Sequence, residues 1–315
     1  MRIAMTGSGM MATFMARAIV DSGHELVAVI DNGRTIKGAK RWLNPLLASV
    51  FTPNAQVNAI ARKRRIPIVY IDKMTENELA PLAATKPDLI LVGGFSIILK
   101  KPIIQLPRIA CVNCHSSLLP KHRGPNPFQA AILAGETETG ITYHVIDEGI
   151  DTGPILAQHR IPITNSDTAG SLVRRTSALA AEKLPELLQQ IERDGLNAIE
   201  QVHGEGSYDK KLSDDELFLR WDEPAECLER KVRACFPYTM ARFKYRGDTV
   251  YATRVKAYEK DTGKAPGTIT AARPYIRVAT GKGTLAVMLG YRKHFPLPWF
   301  WPGFFWRPPV GDRLD

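Results

Sequence analysis

The sequence predicts a two-domain α/β protein, with a mostly parallel sheet in a larger N-terminal domain and a small β-barrel after it. Apolar strand patterns alternate with amphipathic helix patterns over residues 1–193, as in a sheet with crossover helices. Short strands separated by glycine turns follow over residues 212–315, as in a small barrel. Residues 194–211 include three glycines and few apolar residues, and we interpret them as a linker. A length of 315 residues with 44% hydrophobic content suffices for two cores.

Hydrophobic periodicity places the individual elements. In the N-terminal domain the predicted strands lie at 2–6, 25–30, 66–71, 89–94, 109–115 and 139–145, and the predicted helices run from the first glycine turn to residue 21 and over 54–65, 76–84, 127–135 and 169–191. In the C-terminal domain a helix is predicted at 226–234, and strands at 242–245, 250–255, 267–269, 275–279 and 284–288. The run at 89–94 is apolar throughout, which is typical of a parallel strand buried on both faces.

The first glycine turn also matches a dinucleotide-binding fingerprint. Gly7, Gly9 and Ala12 have the G-x-G-x-x-A spacing between a strand and a helix, and Asp31 follows about 20 residues later. The pattern leaves a nicotinamide-binding protein open as one alternative. In the other, the glycines only turn the chain from strand to helix.

Positive charge is concentrated near the C-terminus. The net charge is +10, and residues 230–315 hold 17 Lys and Arg against 5 Asp and Glu. This asymmetry indicates a nucleic acid or another phosphate-rich partner, although a solvated basic surface is an alternative explanation. A further basic segment contains Arg34, Lys37, Lys40 and Arg41, which either contact phosphates or lie on a surface helix.

Composition indicates a cytoplasmic protein. No run of about 18 apolar residues predicts a membrane-spanning helix, and the N-terminus lacks a signal-peptide pattern. Four cysteines are few, as expected in a reducing compartment. Cys111 and Cys114 have the C-x-x-C spacing of redox pairs and zinc half-sites, but their position in a predicted strand favours ordinary packing. The sequence does not indicate an oligomeric state.

Three polar residues between Cys111 and Pro154 form the candidate catalytic site. Asn113 and His115 are two residues apart in a predicted strand, so their side chains point to the same face. A strand–helix–strand return can bring Asp151 back beside the tip of that strand. An imidazole that relays a proton, a carboxylate that orients it and favours its charged form, and an amide that donates to an oxyanion suit acyl transfer to an amine. Ordinary turn contacts are the alternative, and we interpret His122 and His144 as surface or core histidines.

The motifs around these residues resemble a known family. N-x-H-x-S-L-L-P-x-x-R-G at 113–124 and D-x-G-x-D-T-G at 147–153 are similar to the motifs of 10-formyltetrahydrofolate-dependent formyltransferases. The resemblance implies that Asn113, His115 and Asp151 are catalytic and that no metal is required. It also implies a folate site lined by Ile97, Ile98, Leu99, Ser117, Leu118, Leu119, Pro120, Asp147 and Gly149.

The same resemblance implies a Rossmann-like N-terminal domain and an OB-like C-terminal domain. Family members formylate different amines, and the basic C-terminal domain favours the amino group of methionine on initiator tRNA. An amino-sugar nucleotide is the second expectation, because its diphosphate also attracts Lys and Arg. A non-catalytic RNA-binding relative is a further alternative. The aromatic tail at 294–309 departs from the family pattern, and it either packs on the barrel or binds a partner.

Overall fold

The computed structural model describes residues 1–33, 57–95, 97–202, 204–292 and 308–315. They form two compact units: unit 1 consists of 1–127, 138–162 and 173–209, and unit 2 consists of 128–137, 163–172 and 210–315. The basic segment with Arg34, Lys37, Lys40 and Arg41 lies outside the described residues, as does most of the aromatic tail. Among the residues described, no helix has the length and apolar character needed to cross a bilayer.

Unit 1 contains a seven-stranded sheet with the strand order β3-β2-β1-β4-β5-β6-β7. Its strands are β1 (Arg2–Gly7), β2 (Glu25–Asn32), β3 (Ile68–Ile71), β4 (Leu89–Gly93), β5 (Ala110–His115), β6 (Glu138–Val145) and β7 (Ile155–Pro162). Strands β1 to β5 are parallel, whereas β6 and β7 pair antiparallel at one edge. The predicted mostly parallel sheet is confirmed, and β7 is an addition that the sequence analysis did not include.

The described helices lie close to their predicted positions, except for one short helix, α4 (Lys101–Ile104), which was not predicted. They are α1 (Gly9–Asp21), α2 (Val57–Lys63), α3 (Glu76–Ala84), α4 (Lys101–Ile104), α5 (Pro127–Ala134), α6 (Ala169–Asp194) and α7 (Ala225–Cys235). Thr75 caps α3, because its hydroxyl accepts a hydrogen bond from the Glu78 N–H. Gly135 follows α5 with a φ of +74°, the left-handed geometry that commonly ends helices.

The glycine turn between β1 and α1 has a packing role. A Cβ on Gly7 would lie only 2.0 Å from the carbonyl oxygen of Gly93, so β1 and β4 can approach at this point only without a side chain. The carboxylate of Asp31 accepts hydrogen bonds from the Asn32 N–H and the Asn58 side chain. Both observations agree with the interpretation in which the glycines turn the chain.

Unit 2 contains a five-stranded antiparallel half-barrel. Its strands are β8 (Arg242–Tyr245), β9 (Asp248–Tyr258), β10 (Ile269–Ala271), β11 (Ile276–Ala279) and β12 (Thr284–Arg292), in the order β10-β11-β12-β9-β8. The rings of Trp221 and Phe243 meet edge to face in its core, with centroids 5.5 Å apart. Short strands with glycine turns therefore predicted the class of this unit correctly.

Candidate active site

Strand β5 carries two of the predicted catalytic residues. Asn113 and His115 lie two residues apart on β5, so their side chains share a face of the sheet. In the backbone register, Asn113 is opposite Val92 of β4 on one side and His144 of β6 on the other. Polar side chains in the middle of a buried sheet require partners. Asn113 and His115 find them in a turn that lies 38 and 36 residues further along the chain.

Asp151 is that partner, but the direction of the strand that precedes it differs from the predicted one. The expected return placed the turn after β6 beside the tip of β5. Strand β6 instead runs antiparallel and ends with Val145 opposite Val112, near the start of β5. The following turn brings Asp151 to the site with a φ of +54°, an unfavourable conformation for a residue other than glycine.

The three predicted catalytic side chains meet at one carboxylate oxygen. Oδ1 of Asp151 lies 3.3 Å from Nδ2 of Asn113 and 3.6 Å from Nδ1 of His115. The other oxygen, Oδ2, accepts a hydrogen bond of 2.9 Å from the Gly124 N–H. An amide donor, an imidazole and a carboxylate are therefore within contact of one another.

His115 is held between two acceptors. Its Nε2 lies 2.8 Å from the carbonyl oxygen of His122, and its Nδ1 faces Asp151. The side chain is only 7% exposed, and this burial lowers the pKa of His115 although the Asp151 charge opposes the shift. The Asp151 charge acts in the expected direction and favours the charged imidazole, but burial outweighs it and leaves the resting ring neutral at neutral pH. A neutral His115 donates from Nε2 to His122 and keeps a lone pair on Nδ1 that can accept a proton.

Asp151 is ionised throughout the physiological range. Burial alone would raise its pKa, but a hydrogen bond from His144, the charge that His115 gains when it is protonated at acid pH, and the Gly124 N–H outweigh burial and lower the pKa to about 2. The site thus contains a fixed negative charge beside a neutral imidazole.

His144 is a residue of this site that sequence reasoning set aside. Its Nε2 lies 3.1 Å from Nδ2 of Asn113 and 3.6 Å from Oδ1 of Asp151, and its Nδ1 lies 2.9 Å from the carbonyl oxygen of Val145. Nε2 can accept from the Asn113 amide when the ring proton is on Nδ1, and it can donate to Asp151 when it carries a proton itself. An antiparallel assignment of β6 would have placed His144 directly opposite Asn113 and revealed this contact.

The loop predicted to line the folate site is fixed by polar side chains. The hydroxyl of Thr142 donates to the Ser117 carbonyl at 2.7 Å and accepts from the Leu119 N–H at 3.1 Å. Ser117 is fully buried and donates its own hydroxyl to the Lys121 carbonyl, and Leu119 is also buried. Leu118 and Pro120 are partly exposed, so they are the members of this loop whose side chains can reach a ligand.

The remaining predicted folate residues lie on two segments that flank β5. Ile97, Ile98 and Leu99 follow β4, and their exposure ranges from 65% for Ile98 to 8% for Leu99. Asp147 and Gly149 belong to the turn before Asp151, where the Asp147 carboxylate accepts from the Gly149 N–H. An ion pair of 3.5 Å between Lys101 and Glu148 connects the two segments.

Unit 1 also contains a groove whose lining excludes the predicted catalytic residues. This open groove of about 610 Å³ lies between α1 and α6, and its lining includes none of the predicted site residues. Within the ranges that the structure describes, no cluster of three or more His, Cys, Asp or Glu side chains is arranged to hold a metal ion.

Comparisons with known proteins agree with the motifs. The family described as formyl transferase matches residues 1–188, and the formyl transferase C-terminal domain matches residues 211–292. The chain is 33% identical over 289 residues to the methionyl-tRNA formyltransferase of Methylococcus capsulatus, covering 91% of each chain. It is 34% identical over 287 residues to that of Halorhodospira halophila, covering 91% of this chain and 90% of the relative.

Solved structures with similar folds are more distant in sequence. An N-formyltransferase from Helicobacter canadensis, in complex with folinic acid and dTDP-3-aminofucose, has a TM-score of 0.67 at 20% identity and covers 92% of this chain and 99% of its own. HypX from Aquifex aeolicus, in complex with tetrahydrofolic acid, has a TM-score of 0.62 at 18% identity and covers 93% of this chain and 44% of its own. At these identities the likeness establishes the fold.

Proposed function

The chain belongs to the formyl transferase family, and we propose that it transfers the formyl group of 10-formyltetrahydrofolate to the amino group of methionine on initiator tRNA. The observation that carries the proposal is the convergence of Asn113, His115 and Asp151 around one carboxylate oxygen. The 33% identity to methionyl-tRNA formyltransferases over 91% of the chain supports this acceptor.

The proposed chemistry needs a proton acceptor and an oxyanion donor. The neutral amine of the acceptor attacks the formyl carbon, and the attacking nitrogen must then lose a proton. His115 receives that proton at Nδ1, where Asp151 lies 3.6 Å away and stabilises the imidazolium. The Nε2–H of His115 stays on the His122 carbonyl and holds the ring in place.

Asn113 supplies the oxyanion donor. At 3.3 Å, the contact of its Nδ2 with Oδ1 of Asp151 is long for a hydrogen bond to a carboxylate. A developing oxyanion can take over this N–H, and such a donor contributes roughly 3–4 kcal/mol in other acyl transfers. The bond between the formyl carbon and the folate nitrogen then breaks as that nitrogen takes the proton that His115 received from the amine, and tetrahydrofolate leaves.

The folate is proposed to lie against the segments that flank β5. Leu118 and Pro120 offer partly exposed apolar surface beside the motif, and Ile97 and Ile98 offer more on the neighbouring segment. Asp147 and Gly149 form the turn on the other side. Relatives of similar fold hold folinic acid or tetrahydrofolic acid, which supports a folate rather than a nicotinamide at this edge of the sheet.

A basic face of unit 2 supports a tRNA acceptor. Arg254 and Lys256 lie two residues apart on β9, so they share the exposed face of the sheet. Arg277 of β11 and Lys256 both stack on the ring of Tyr258, at 4.5 Å and 5.5 Å from its centroid. Exposed cations beside an aromatic ring suit the phosphates and bases of RNA.

Formyl transfer to charged initiator tRNA at several salt concentrations tests the proposal. We expect formyl-methionine to appear with 10-formyltetrahydrofolate as donor, and kcat/KM to fall steeply as salt rises, because phosphate contacts release counterions. A His115→Ala variant that keeps full transfer would refute the catalytic assignment. Transfer to an amino-sugar nucleotide but not to tRNA would refute the acceptor and keep the donor chemistry.

A further inference from the structure

Arg123 and Gln201 form a partly buried hydrogen-bond network that ends on the backbone around Asp151. The guanidinium of Arg123 donates twice to Oε1 of Gln201, from Nε at 3.2 Å and from Nη2 at 2.7 Å. Nε2 of Gln201 donates to the carbonyl oxygens of Asp151 at 2.9 Å and of Gly153 at 2.7 Å. All hydrogen-bonding capacity of the Gln201 amide is thereby used.

The orientation of this amide is fixed by its partners. Arginine can only donate and carbonyl oxygens can only accept, so the Gln201 oxygen must face Arg123 and its NH2 must face the turn. Gln201 is only 6% exposed, and a buried amide that lost either set of partners would be left unsatisfied. The hydrogen bonds of Gln201 to Arg123 and those to the turn at Asp151 therefore stabilise each other.

This hydrogen-bond network stabilises the backbone conformation of Asp151. Asp151 has a φ of +54°, which is unfavourable for a side chain with a Cβ, so its conformation has to be imposed by contacts. Gly124, next to Arg123, donates its N–H to the Asp151 carboxylate. One dipeptide of the first motif thus holds Asp151 twice: Gly124 at the carboxylate, and Arg123 through Gln201 at the carbonyl.

We propose that Gln201 and Arg123 are positioning residues that hold the Asp151 carboxylate against His115 and Asn113. This inference rests on the proposed function for its kinetic consequences. It assigns the arginine of the first motif to Asp151 rather than to a substrate carboxylate or phosphate. It also gives a role in the site to a residue of the segment interpreted as a linker.

Gln201→Glu, compared with a control substitution of Gln129, separates a positioning role of Gln201 from a purely structural one. In Gln201→Glu the carboxylate still accepts from Arg123, but it cannot donate to the Asp151 and Gly153 carbonyls. We expect this variant to stay folded while kcat falls about tenfold or more, because a small displacement of a catalytic group is costly. KM for the folate should change little. Gln129→Met is the matched control, since Gln129 is equally buried but donates to Cys235 and Thr239 in unit 2.

A double-mutant cycle and an NMR titration test whether Gln201 affects the reaction through Asp151. If Gln201 acts through Asp151, adding Gln201→Glu to Asp151→Asn should cause no further loss of kcat. In Gln201→Met, the pKa of the His115 imidazole should fall relative to the wild type, because the raising effect of the Asp151 charge weakens with distance. The His115 resonance is identified by its absence in His115→Asn.

The outcomes distinguish this inference from the proposed function. Wild-type kcat in Gln201→Glu, or an unchanged His115 pKa in Gln201→Met, overturns the positioning role. Failure of the wild-type protein to formylate charged tRNA would instead refute the proposed acceptor. The NMR titration needs no substrate, so it would still decide whether Gln201 positions Asp151.

Discussion

Replacement of Asp151 by asparagine tests the electrostatics of the site through stability. The substitution keeps the shape of the side chain and an acceptor for the Gly124 N–H, but it removes the negative charge. In the wild type that charge is favoured in the folded state by His144, His115 and the Gly124 N–H, which lower the pKa of Asp151 to about 2 despite its burial.

The contribution of ionised Asp151 to the free energy of unfolding follows from its lowered pKa. The ordinary pKa is 3.8 and the folded value is about 2, and because one pKa unit corresponds to about 1.4 kcal/mol, ionised Asp151 stabilises the fold by roughly 2 kcal/mol. A depressed carboxyl pKa gives stability that is present above the unfolded value and lost as the pH falls through the folded value. The contribution should therefore disappear between about pH 4 and about pH 2.

Urea unfolding followed by circular dichroism at pH 5.5 and at a pH near 2 measures this contribution. We expect the free energy of unfolding to fall between the two pH values by roughly 2 kcal/mol less in Asp151→Asn than in the wild type. Asp21→Asn, at an exposed carboxylate that ends α1, is the control and should retain the wild-type pH dependence. An identical pH dependence in Asp151→Asn and the wild type would refute the assigned charge network.

Three further predictions concern the reaction, the sheet and the basic face. Asn113→Ala should lower kcat by roughly 10²–10³ in single-turnover formyl transfer, because an oxyanion donor is lost. Gly140→Ala should lower the free energy of unfolding by more than about 2 kcal/mol, because its Cβ would lie 2.1 Å from the His159 carbonyl oxygen; an unchanged melting temperature would contradict this packing. Arg254→Gln combined with Lys256→Gln should reduce the slope of log(kcat/KM) for tRNA against log[salt] by about 2 if both side chains contact phosphates, and an unchanged slope would place the tRNA elsewhere.

Local sequence patterns predicted the helices and strands and the face of β5 on which each side chain lies, because both depend on neighbouring residues. Asn113 and His115 share a face as a consequence of the two-residue strand period. The convergence with Asp151 could be predicted from a return of the chain, but its route could not, since the hydrophobic pattern of β6 is the same for a parallel and an antiparallel strand. That difference in direction explains why His144 was assigned to the surface or the core.

The buried position and the contacts of Gln201 could not be predicted from the sequence. Gln201 lies in a glycine-containing segment of low hydrophobicity, which is typical of a linker, and no local pattern distinguishes it from a solvated glutamine. Its environment is created by Arg123, which is 78 positions away, and by the turn at Asp151, which is 50 positions away. A residue whose contacts are all long-range has no local signature.

Oδ1 of Asp151 connects His115, the proposed proton acceptor, to Asn113, the proposed oxyanion donor. Asn113, His115 and His144 all lie between 3.3 and 3.6 Å from Oδ1, so none of these contacts has the short distance of a strong charge-assisted hydrogen bond. When a substrate oxygen takes over the Asn113 N–H, Oδ1 loses one donor and becomes a stronger acceptor for His115. Oxyanion formation and proton uptake by His115 would then favour each other, because both depend on the same carboxylate. In the proposed reaction, the neutral imidazole and the ionised carboxylate of the resting site would form a charge pair only when His115 accepts the proton.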